Sequence, residues 1–332
     1  MSRGKSPNIQ IIELARGVAA LMVAFYHLSG YKSLNISHYL DFGKIGVYLF
    51  FFVSGYLIVD SSAGRSVRDF VVGRFFRLFP LYWVSVVFML LVIPRSFDTP
   101  TILMNFTMFQ QFFGFEIVQA VYWTLTIEMV FYITIIMAIV LFGSRMLDFL
   151  WLYFGASIVL ALALTWVMIT KWEGAPVAIG MGLATMYLAA IIKRHGLKAT
   201  SSLAALAVYA ATGLASSYYG YGSNGTVEFI RYLLTYSVAL AIALVIYACR
   251  NRYQGKFTMY GELSYGLYLF HLPVFYFLAL IVDGLEYGPV AWVVTSILTL
   301  AICYVLHRWV EKPCIRMGKK FTQRRPAAVT AM

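Results

Sequence analysis

Arg16 and His27 are the residues whose types and spacing most directly suggest chemistry. They share a single apolar run, residues 9–30, long enough to cross a bilayer, and Glu13 lies in the same run. A charged side chain in lipid costs at least ~2.5–3.5 kcal/mol, so such residues are usually paired or functional. His27 lies eleven positions after Arg16. At 3.6 residues per turn they fall within roughly 20° of one another and about 16 Å apart along the axis. Glu13 sits one turn below Arg16 on nearly the same face. One helix therefore presents an acid, a guanidinium and an imidazole in a line through much of a membrane.

Further groups of this kind occur in four other stretches. Residues 46–58, GVYLFFFVSGYLI, set Ser54 and Gly55 in a continuous apolar run, the usual mark of close helix packing. Residues 74–83, RFFRLFPLYW, place Arg74 and Arg77 one helical turn apart at the start of a span. Two readings stand there. One is a basic and aromatic membrane-interface anchor; the other is a clamp in which two guanidiniums bind phosphates. In residues 122–132, YWTLTIEMVFY, Glu128 lies about two turns inside a span, at the depth of His27, and either pairs or takes part in catalysis. Residues 263–273, LSYGLYLFHLP, bring Tyr265, Tyr268 and His271 near mid-membrane, with Pro273 inviting a kink. A lone membrane histidine can also simply hydrogen-bond a neighbouring helix.

These residues need a membrane scaffold, and the composition supplies one. Of 332 residues, 61% are hydrophobic and only 12% charged, against about 25% charged in soluble domains. The reading is an all-α polytopic membrane protein, with about ten transmembrane helices surrounding a polar central channel. Runs of bilayer length place the spans at 9–30, 45–59, 78–93, 121–142, 146–170, 176–192, 202–218, 229–249, 263–282 and 290–310. Residues 101–115, with Asn105, Gln110 and Gln111, read as a re-entrant or interfacial segment. Residues 1–315 form one transmembrane domain, and 316–332 a short basic tail. Arg3 and Lys5 precede the first run, but Glu13 and Arg16 within it argue for a retained span rather than a signal peptide.

The net charge of +12 concentrates in one set of loops, among them Arg65, Arg68, Arg145, Lys198, Arg250 and Arg252. By the positive-inside rule both termini are cytoplasmic, and the charge implies no nucleic-acid partner. Arg16 then lies in the cytoplasmic half of its span and His27 near the outer end. Cys249, Cys303 and Cys314 have no paired spacing, so neither a disulfide nor a metal site is expected.

Taken in order, these motifs resemble the acyltransferase-3 family of membrane O-acyltransferases. The matching elements are Arg16-x10-His27, the GVxLFFxxSGYLI run of 46–58 and the RxxRLxPLYW run of 74–83. They continue with W-T-L-x-x-E-x-x-F-Y around Glu128, S-Y-x-L-Y-L-x-H ending at His271, and VEKP at 310–313. The wording is nearest to exopolysaccharide acetyltransferases of the succinoglycan type. One departure is Tyr48, where many members carry Asp, so no role for an acid carries over to that position.

The resemblance implies a bacterial inner-membrane enzyme that transfers an acyl group, usually acetyl, from cytoplasmic acyl-CoA. The acceptor is a hydroxyl of a surface glycan or of a lipid-linked oligosaccharide precursor. The donor is acetyl-CoA or another acyl-CoA, with no metal. On this reading Arg74 and Arg77 bind the CoA phosphates, and Arg16, counted with the catalytic residues, lines the path of the pantetheine arm or holds the donor. His27 is the general base on the acceptor hydroxyl, and Glu128 orients it as in a catalytic triad. Tyr268 and His271 line the donor channel or donate hydrogen bonds to the thioester oxygen, and Ser54 belongs to the same donor site. The alternative reading is a proton-coupled transporter or a flippase of a glycan or small anion, since proton relays use the same residue types. Internal repeats, which such transporters often show, are not visible.

Overall fold

The computed structural model describes residues 7–222, 225–252 and 258–322, and among these it contains helices and no strand. The helices are α1 (Pro7–Leu28), α2 (Phe42–Ser62), α3 (Val67–Val92), α4 (Thr99–Asn105), α5 (Trp123–Phe142) and α6 (Leu150–Thr170). They continue with α7 (Val177–His195), α8 (Thr200–Ala215), α9 (Thr226–Cys249), α10 (Thr258–Ile281), α11 (Pro289–Leu306) and α12 (Lys312–Thr322). Eight helical segments among the described residues are long and apolar enough to cross a membrane. The longest, Ala120–Thr170, breaks at Gly143 into α5 and α6, each of bilayer length. The segment expected at 202–218 is helical but is not among the eight; α8 passes into a π-helical turn at Ser216–Tyr221.

Two helices run well beyond their apolar windows, and side-chain pairing accompanies it. The span expected at 45–59 is Phe42–Ser62. Asp41 caps its start, its carboxylate accepting a hydrogen bond from the Lys44 amide at 2.8 Å. Near the other end, Asp60 pairs with Lys193 at 3.1 Å. Similarly, the span expected to start at residue 78 begins at Val67, where Ser66 accepts from the Asp69 amide at 3.1 Å. Arg74 and Arg77 are thus about two to three turns inside α3. The last span passes through a π-helical turn, His307–Glu311, and continues as α12 without a break across residues 315–316.

α1 lies at the centre of the packing, chiefly against α2 and α10. Glycines set how close those neighbours come. A Cβ at Gly46 would stand 2.7 Å from the Ala19 carbonyl oxygen, and one at Gly261 only 2.1 Å from that of Glu13. Membrane helices gain most of their association from such backbone-to-backbone packing, since lipid supplies little hydrophobic drive. The stretch expected to be re-entrant folds as the short α4 and a 3-10 turn at Gln110–Phe113. Buried Asn105 holds it together, donating to the Thr101 and Glu116 carbonyls at 2.8 Å each and accepting from the Val118 amide at 3.1 Å. Gln119 ties the segment to α10 through the Leu269 carbonyl at 3.0 Å.

A candidate active site of two linked parts

The helices α1, α2, α3, α5 and α10 enclose a cavity of about 230 Å³. Its polar lining is Arg16, Ser54, Ser61, Arg74, Arg77, Thr124, Glu128, Tyr132, Tyr265 and Tyr268. Along α2 the lining extends from Val47 to Ser61, a rise of about 21 Å of helix. The cavity is therefore long and narrow. It suits a chain-like ligand with an anionic end better than a compact one.

Six of the residues singled out from sequence converge here with Arg16: Ser54, Arg74, Arg77, Glu128, Tyr265 and Tyr268. Their local sequence explains the convergence. Arg74 and Arg77 are one turn apart on α3, and Glu128 and Tyr132 are four apart on α5, so each pair shares a helix face. The Tyr132 hydroxyl donates to the Glu128 carboxylate. The Arg74 guanidinium carbon lies 5.8 Å from the Phe70 ring centroid and 5.9 Å from that of Tyr132. Its Nε is buried and has no hydrogen-bond partner. A buried donor of this kind in a cavity wall is available to a ligand. Arg77 is already engaged, with one guanidinium nitrogen 2.9 Å from buried Glu311. The charges acting on Arg16 are those of Arg77, Glu13, Glu311 and Glu128.

The histidines form a second part, outside the cavity lining. The His27 and His271 ring centroids are 5.6 Å apart. Tyr268 links the two parts: it lines the cavity, and its ring lies 6.4 Å from His271. Its hydroxyl donates to the Val121 carbonyl at 2.8 Å and lies 2.5 Å from the Thr124 hydroxyl. The order along α10 is therefore cavity, Tyr268, then the imidazole pair one turn further on.

Hydrogen bonds bias the tautomers. His271 is fully buried, with Nδ1 3.1 Å from the Leu267 carbonyl oxygen. A carbonyl only accepts, so Nδ1 carries the proton and Nε2 presents a lone pair. That Nε2 is buried without a partner. His27 is the converse case. Its Nδ1 is 3.4 Å from Lys32 Nζ, and an ammonium only donates, so the neutral ring carries its proton on Nε2. Lys32 also lies over the Tyr26 ring, 5.0 Å from its centroid. Partial burial pushes the Lys32 ammonium below the ordinary lysine value, and the Asp41 carboxylate pulls it back up.

Two expectations change. Glu128 does not orient His27: its hydrogen bond is to Tyr132, while His27 lies beside His271 and Lys32. Equal depth on two helices left their azimuth open, and packing turned the two residues to different neighbours. His271 does not sit in the cavity wall as a donor to a thioester oxygen; in this tautomer its free nitrogen accepts. The sequence reading also passed over Tyr132, Lys32 and Glu311. Tyr132 was legible as the i+4 neighbour of Glu128, and Glu311 as that of His307. Lys32 lies in a 3-10 turn beyond α1, where no periodicity points to His27.

A family profile described as an acyltransferase domain matches residues 9–308. Nodulation protein 10 of Rhizobium leguminosarum bv. viciae is 26% identical over 374 residues, covering 98% of this chain and 97% of that protein. No solved structure matches.

Proposed function

The chain belongs to the acyltransferase-3 family, and from that premise we propose that it transfers an acyl group, most simply acetyl, from acyl-CoA to a glycan hydroxyl. The acceptor is a surface polysaccharide of the succinoglycan type or its lipid-linked precursor. The observation that carries this reading is the linear order of the two parts. Three arginines line one narrow cavity, and Tyr268 connects it to an imidazole pair holding an unpartnered lone pair.

The donor's phosphates bind at Arg74 and Arg77, whose planar guanidiniums match phosphate oxygens. The arm extends past Arg16 and Ser54 towards Tyr268. His271 Nε2 takes the proton of the acceptor hydroxyl as its oxygen attacks the thioester carbonyl. The Nε2–H of His27, held in that tautomer by Lys32, donates to the carbonyl oxygen as charge builds on it. When the C–S bond breaks, the proton on His271 passes to the departing sulfur, leaving the ester and free CoA thiol. Thus both histidines serve the reaction, but the base is His271 rather than His27. No metal enters this scheme. The basic loops support an inner-membrane orientation with both termini, and the arginine part of the site, towards the cytoplasm.

The test is acetyl-CoA turnover by the purified protein in nanodiscs, with a labelled acetyl group and a polysaccharide or lipid-linked acceptor fraction. Thiol release matched by label on the glycan is expected. Glycan movement across proteoliposomes with no thiol at any acceptor concentration would replace the enzyme with a flippase or transporter.

A further inference from the structure

We infer that Glu311, oriented by His307, is a positioning residue that holds the Arg77 guanidinium at the cavity wall for the donor's phosphates. The inference rests on the acyl-CoA reading above. Glu311 is 2% exposed, deep enough that its charge requires partners. Its Oε2 accepts a hydrogen bond from His307 Nδ1 at 2.6 Å, and its Oε1 makes an ion pair with Arg77 at 2.9 Å without hydrogen-bond geometry. His307 Nε2 in turn lies 3.5 Å from Glu262 on α10. A chain of carboxylate, imidazole, carboxylate and guanidinium thus leads from α10 to the cavity.

The backbone is built around this contact. Glu311 closes the π-helical turn His307–Glu311, a departure from α geometry that is frequent at functional sites. Beyond it, α12 is seated on α3, with Phe321 stacked on Phe76 at 5.7 Å and Gly318 against the Phe76 side chain. Phe76 is the residue before Arg77, so the same helix that delivers the carboxylate also braces the arginine's backbone. Glu311 engages one guanidinium nitrogen, while a guanidinium has five N–H donors in a rigid fork. Arg77 also lines the cavity, so the donors not turned to Glu311 are left for an anion bound there. A long arginine side chain without such a brace would lose rotamer freedom on every binding event.

Donor truncation separates this role from a purely structural one. Steady-state kinetics of the full chain in nanodiscs would compare acetyl-CoA with acetyl-pantetheine, which lacks the nucleotide and its phosphates. Glu311→Gln is expected to raise KM for acetyl-CoA about tenfold or more, with kcat nearly unchanged, as for loss of a binding contact. KM for acetyl-pantetheine should not move. Arg77→Gln should show the same selectivity, and the double variant should be no worse than Arg77→Gln alone. If the Gln variant does not fold, Glu311→Asp is scored on the same donor comparison. Equal losses with both donors, or no change with either, would overturn the inference. A wild-type protein that turns over neither donor and binds no CoA would instead sink the acyl-CoA reading.

Discussion

Gly55→Ala offers a quantitative test of how the cavity wall is held. A Cβ at Gly55 would stand 1.9 Å from the Met186 carbonyl oxygen, 2.4 Å from its carbonyl carbon and 2.5 Å from its Cα. A carbon–oxygen contact needs about 3.3 Å, so α2 and α7 would have to separate locally by roughly 1.4 Å. These atoms are backbone, so no side-chain rotation relieves the clash. Overpacking of this kind costs about 1–3 kcal/mol and occasionally more. Against it stands the helix-propensity gain of alanine over glycine, about 0.8–1.0 kcal/mol. The difference is a loss of roughly 0–2 kcal/mol, expected towards the upper end because the clash is with backbone. Gly73 supplies the control, because a Cβ there meets nothing within 4 Å. Gly73→Ala should therefore be neutral or stabilising by up to ~1 kcal/mol. The assay is thermal unfolding followed by tryptophan fluorescence in nanodiscs, with acyl transfer measured in parallel. Since Ser54 and Phe51 on α2 line the cavity, Gly55→Ala should lose turnover as well as stability. Melting of Gly55→Ala at or above the wild-type temperature would refute the argument. So would an equal fall in Gly73→Ala.

Three further outcomes follow from the site. His271→Gln should lower acetyl transfer by about 10²–10⁴, the usual worth of a general base, whereas His27→Gln keeps an N–H donor and should lose less; the reverse order, read from initial rates, would return the base to His27. Tyr132→Phe removes the hydroxyl that donates to Glu128 and should lower kcat/KM for acetyl-CoA about 10-fold or more, as for a hydrogen bond to a charged group; unchanged kinetics would show that Glu128 needs no such partner. Asp41→Ala removes the N-cap of α2 and should cost about 0.5–2 kcal/mol in the same melting assay, and an unshifted transition would mean the cap is replaced by solvent.

The amino-acid sequence by itself determined the membrane class, the approximate spans and the family. Composition and apolar run length are one-dimensional quantities, and motif order survives without coordinates. It also determined which residues share a helix face, since 3.6 residues per turn puts Arg74 with Arg77. Span ends were less legible, because a hydropathy window stops at Lys44, Asp60 or Arg77 while the helix continues wherever such charges find partners. What only the tertiary structure decided is how each helix is rotated about its own axis. That rotation gave Glu128 to Tyr132 rather than to His27, set His271 beside His27, and turned Glu311 towards Arg77. Depth in the membrane can be counted along a chain; azimuth is fixed by close backbone contacts such as Gly46 on Ala19 and Gly261 on Glu13, which join residues far apart in sequence.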